Sequence, residues 1–173
     1  MELQTELEQW DGKSTDYLHL IYQEHHFEAN FIDQLLEKST LDPYQESATW
    51  LLKHHLESEE QLTDQEMRQV YQLIPFLTHW QAKLHLLQIM PYLPVQSDEK
   101  DSLEQFIKLC IADRNKFLRA WAYNALFVLS QQYSEYLIDV KRIFKIALKK
   151  EAPSIKARIK NILIQHNLEN QVP

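Results

Sequence analysis

The chain has 173 residues and a formal charge of −7, with one glycine, one cysteine and six prolines. A single glycine leaves hairpin-rich β folds, and any glycine loop that would cradle a phosphate, without the residue they depend on. One cysteine excludes an internal disulfide and suits a reducing compartment, and no stretch approaches the ~20 apolar residues needed to span a bilayer.

Leu, Gln, Glu, Lys and Ala dominate, the residues that lose least on entering a helix, so an all-α chain forming one domain is expected. Residues 1–14 alternate acidic and polar side chains with isolated leucines and lack the basic and apolar regions of a secretory signal. They read as a flexible N-terminus of a cytoplasmic protein. Thr15-Asp16 then opens a capping helix over residues 15–27 that presents Tyr17, Leu18, Leu20 and Ile21.

Four helical hairpins follow, over residues 28–60, 61–94, 95–134 and 135–168, with 169–173 as a tail. In the first, Phe31-Ile32 and Leu35-Leu36 precede a break at Leu41-Asp42-Pro43, after which Ala48, Trp50, Leu51 and Leu52 make the second helix. Met67, Val70, Tyr71 and Ile74, then Trp80, Ala82, Leu84 and Leu87, repeat the pattern with a shorter turn. The third is the clearest. Leu103, Phe106, Ile107 and Cys110 fall at i, i+3, i+4 and i+7, so Cys110 reads as a core thiol, and Leu118, Ala122, Ala125, Leu126 and Leu129 line the partner helix. Between these helices, spanning 99–111 and 115–132, Asp113 or Asn115 is placed to cap the second. The total is about nine helices by this spacing.

Phe117 to Leu126 aligns without gaps on Ser154 to Leu163, a shift of 37 residues. The preceding helices follow at the same shift, with Leu103 on Val140, Phe106 on Ile143, Ile107 on Phe144 and Cys110 on Ala147. Asp113, Leu118-Arg119, Ala122 and Leu126, and again Glu151, Ile155-Lys156, Ile159 and Leu163, form a pattern that resembles the HEAT repeat. Glu46-Ser47 and Trp80-Gln81 stand where the apolar-basic pair would fall in the two earlier hairpins. The resemblance implies a short right-handed α-solenoid, an α-α superhelix in which acidic and basic residues form a ladder between neighbouring turns.

The resemblance also implies that the second helix of each hairpin lines a concave face where partner peptides or helices bind. On that face Trp121 and Asn124 of the third hairpin correspond to Arg158 and Asn161 of the fourth. A side-chain amide both donates to and accepts from an extended peptide backbone. The leading expectation is therefore a non-catalytic protein-binding scaffold.

Two other classes stay open. A nucleic-acid-binding or HEAT-like DNA-repair protein would use the basic surface formed by Lys141, Lys145 and Lys149, at i, i+4 and i+8, with Lys156 and Lys160. No aromatic residue interleaves with these lysines, and the acidic N-terminal half repels a phosphate backbone. A HEAT-type lyase or accessory subunit of an enzyme is the other. Eight histidines invite a metal, yet there is no His-Glu-x-x-His and no His followed directly by Glu, so neither metal nor cofactor is expected.

Charge is divided along the chain. Residues 1–100 hold 18 acidic and 6 basic side chains, a net −12, and residues 101–173 hold 7 and 12, a net +5. Solvated helix faces account for this, and so would an acidic partner at the C-terminal end or head-to-tail self-association.

Overall fold

Helices begin where the sequence supplies acceptors for their first amides. Ser14 takes the Tyr17 amide at 3.2 Å, and Asn115 Oδ1 takes that of Phe117 at 2.9 Å. Thr63 and Glu66 close a reciprocal capping box. The computed structural model describes residues 2–168, and among these it contains ten α-helices and no strand. They are α1 (Leu3–Gln9), α2 (Thr15–His25), α3 (Phe31–Ser39), α4 (Gln45–Glu57), α5 (Asp64–Gln72), α6 (Trp80–Ile89), α7 (Lys100–Ile111), α8 (Lys116–Gln132), α9 (Leu137–Lys150) and α10 (Pro153–Gln165). Single 3-10 turns at 42–44, 74–76 and 90–92 carry Pro43, Pro75 and Pro91, whose missing N–H is harmless in a first turn. No helix of the described residues is long and apolar enough to cross a membrane.

The chain divides between Leu93 and Pro94 into two compact units. In residues 2–93 α1 packs on α2 and α3 on α4, and α4 packs against both α2 and α6 while α3 packs against α5. Leu18, Leu35, Leu51 and Leu87, one from each of α2, α3, α4 and α6, are fully buried. The tie from α4 to the turn before α6 is a side-chain amide. Gln45 donates to the Phe76 carbonyl at 2.7 Å and accepts from the amides of Thr78 and His79 at 2.9 and 3.2 Å.

The tenth helix is α1, lying in the stretch that was expected to be a flexible terminus. Its two leucines, Leu3 and Leu7, sit one turn apart and are both buried, and Glu6 on the same side binds His25 of α2 at 2.8 Å. Gly12, at φ +74°, reverses the chain between α1 and α2, with the Asp11 carboxylate accepting from the amides of Lys13 and Ser14. Residues 169–173, read as a tail, lie outside the described residues.

In residues 94–173, α7 packs on α8, and α8 packs on α9 and α10. The core is Leu103, Ile107, Ala122, Leu126, Phe144, Ile155 and Ile159, all with no exposed surface. Cys110 is buried in it.

Candidate functional site

The second helices share a register. The third and seventh residues are buried in each of α4 (Ser47, Leu51), α6 (Ala82, Leu86), α8 (Leu118, Ala122) and α10 (Ile155, Ile159). With those positions facing the core, the sixth falls on the flank, and it is Trp50 in α4, His85 in α6, Trp121 in α8 and Arg158 in α10.

In residues 94–173, where α8 and α10 lie side by side, the sixth residues meet. The Arg158 guanidinium carbon is 4.2 Å from the centre of the Trp121 ring, a close cation–π stack. Asn124 and Asn161 each stand three residues further along the same flank, Asn124 half-buried and Asn161 exposed. Burial pulls the Arg158 guanidinium below its ordinary pKa. Among the described residues it has no carboxylate partner and no hydrogen bond.

Arg119 is the contrast. Its Nε and Nη2 donate to the Glu151 carboxylate at 3.2–3.3 Å, and its Nη1 donates to the carbonyls of Asp113 and Arg114 at 3.0 Å. Tyr123 donates to the same carboxylate at 3.0 Å, and burial with this bond holds its phenol well above the usual range. The rung thus joins the first turn of α8 to the turn between α9 and α10. The Asp113 carboxylate instead accepts from the Asn115 amide at 2.7 Å and shapes the α7–α8 turn.

The five lysines are divided between two helices. Lys141, Lys145 and Lys149 run along α9, whereas Lys156 and Lys160 belong to α10. Lys156 donates to the Lys149 carbonyl at 3.1 Å, closing the C-terminal end of α9.

The histidines of residues 1–93 pack with aromatic rings. His19 meets Trp50 and His54 edge-on at 5.0 and 4.5 Å, Trp50 and His54 stack at 5.2 Å, and Tyr22 meets His54 at 4.6 Å. Burial lowers the pKa of His54, as does the nearby His19. His55, lowered chiefly by burial, lies 3.1 Å from the Tyr22 hydroxyl. Sequence reasoning weighed these residues only as metal ligands. The signal it passed over was Tyr22 three residues after His19, and His54 four after Trp50, each pair sharing a helix face.

His85 has burial holding its pKa down at about 3. Its Nδ1 is 2.9 Å from the Thr49 hydroxyl. That hydroxyl spends its proton on the Gln45 carbonyl at 2.6 Å, so Nδ1 is the donor to Thr49.

Glu6, Glu24 and His25 bring ligand atoms within 4.8 Å of one another. Both nitrogens of His25 are already engaged, Nε2 by Glu6 at 2.8 Å and Nδ1 by Glu28 at 2.7 Å, so the ring links α1 to the end of α2. Cys110 is buried, and His166 packs on Phe127 at 4.5 Å.

No protein-family model, curated protein or solved structure matches the chain.

Proposed function

We propose that the chain is a short α-solenoid of HEAT-like hairpins that works as a non-catalytic, cytoplasmic scaffold and binds another protein along the flank of its second helices. Three features support this reading. Successive second helices pack side by side within each unit, α4 with α6, and α8 with α10. They keep the common register of buried third and seventh residues. The Arg119–Glu151 rung ties one turn to the next as the repeat pattern implies.

The single observation that carries the binding surface is the Trp121–Arg158 stack with Asn124 and Asn161 beside it. An aromatic and an arginine held rigid next to two amides are the residue types that anchor protein interfaces.

The test is site-specific photo-crosslinking in the native cell. A photoreactive residue at Asn124 or Asn161 is expected to capture the same protein at both sites and nothing at Lys145 on α9. Capture at the first two sites should be lost with Trp121→Ala. Equal labelling at Lys145, or no discrete product at either asparagine, defeats the reading.

A further inference from the structure

Arg158 is an arginine in an unusual electrostatic position. Among the described residues from 94 onward, Glu104 is paired with Lys108, Glu135 with Lys100, Asp139 with Arg142 and Glu151 with Arg119. Arg158 is half-buried against Trp121, and among the described residues it has no carboxylate of its own. Removing a cation from water without a counter-charge is costly, and burial lowers the pKa of this guanidinium for the same reason.

The guanidinium carbon lies 4.2 Å from the centre of the indole ring, and among the described residues no hydrogen bond takes up the N–H donors along the edge of the group. That edge is a fork matched to the two oxygens of a carboxylate. The surrounding charge favours the same ligand, because residues 94–173 carry 13 basic and 9 acidic side chains.

We infer that Arg158 is the anchor for a glutamate or aspartate side chain of the partner, and that the α8–α10 flank takes an extended acidic peptide segment. Asn124 and Asn161, one turn beyond, would hold the backbone of that segment as it runs on past the anchored side chain. This rests on the protein-binding reading above and names the chemistry of the partner. A nucleic-acid phosphate is the poorer match. The ring that would stack a base already carries Arg158, and Lys156 is turned to the end of α9.

The experiment uses the full chain labelled with 15N and three probes: a peptide capped at both ends with glutamate at alternate positions, its glutamine counterpart, and a twelve-nucleotide oligo-dT. The glutamate peptide should shift the Arg158 Nε–H and Trp121 indole N–H signals together and saturably. The glutamine peptide should bind roughly tenfold or more weakly, the loss expected when a charge-assisted bond is removed. Arg158→Gln should weaken glutamate-peptide binding by about the same factor, and Arg158→Lys by less, since it keeps the charge without the planar fork. The remainder of the amide spectrum reports that both variants are folded.

Equal binding of the two peptides, unchanged binding by Arg158→Gln, or preference for oligo-dT overturns the inference. If both peptides move the Asn124 and Asn161 side-chain amides equally, the carboxylate anchor falls while the protein-binding reading stands. If no peptide moves any of these signals, the inference fails, and the crosslinking result decides the reading by itself.

Discussion

Arg119 and Glu151, 32 residues apart, are held as a forked ion pair in which both side chains are largely buried, at 20% and 14% exposure. Such a pair differs from a surface salt bridge because removing either partner strands the other away from water. A double-mutant cycle on Arg119→Ala and Glu151→Ala should return a coupling of about 1.5–3 kcal/mol in urea unfolding. A coupling within error of zero would show that the rung does not hold the α8 and α10 turns together.

Leu126 is fully buried on α8, at the place that the internal repeat gives to Leu163 in α10. Leu126→Ala should destabilise the chain by roughly 2–5 kcal/mol, transfer and cavity terms together. A shift in the unfolding midpoint no larger than that of an exposed control such as Gln131→Ala would undo the register of the repeat.

His85 sets a pH dependence whose sign follows from its environment. Its folded pKa, about 3, lies below the ordinary 6.5, so between those values the unfolded chain binds more protons than the folded one. Stability is therefore fully present above about pH 6.5 and falls as the pH drops toward 3, by up to ~1.4 kcal/mol per pH unit from this group. Unfolding measured from pH 7 to 5 should be flatter in His85→Leu than in the parent chain. Parallel curves would mean that His85 does not carry the effect.

Glu59, just past the end of α4, sits at φ +66°, where a side chain is strained and glycine is not. Glu59→Gly should gain up to about 1 kcal/mol, the relief of strain outweighing the extra freedom of the unfolded chain. Glu59→Ala, which keeps the Cβ, is the control and should gain nothing. A loss of stability in the glycine variant relative to the alanine one contradicts the left-handed geometry.

The sequence was most legible where stripe and cap agree. The helices expected at 99–111 and 115–132 are observed at Lys100–Ile111 and Lys116–Gln132, because a regular apolar stripe meets a turn with two candidate caps, Asp113 and Asn115, of which Asn115 caps α8. Where the stripe is thin, reading failed. Two leucines among polar residues were too few to declare α1, and Trp80, counted as an apolar core position, is 40% exposed at the start of α6.

The site was legible as a column and not as a contact. Alignment put Trp121 and Arg158 at the same repeat position, but only the packing of α8 on α10 turns that correspondence into a stack. The Tyr123–Glu151 bond had no local signal at all, since its partners are 28 residues apart and belong to no shared spacing.

The Gln45 bracket has a consequence for how this chain can vary. Three of its partners, at Phe76, Thr78 and His79, are main-chain groups, with the Thr78 hydroxyl a fourth at 3.3 Å, so most of the bracket outlasts a change of side chain there while the amide at 78 and the carbonyl at 76 remain. The Arg119–Glu151 rung works the other way, as both of its ends are side chains and one cannot be replaced without the other. One tie tolerates drift in its partner's letters and the other forbids it. Helices held by brackets of the first kind can keep their geometry while the side chains around them change.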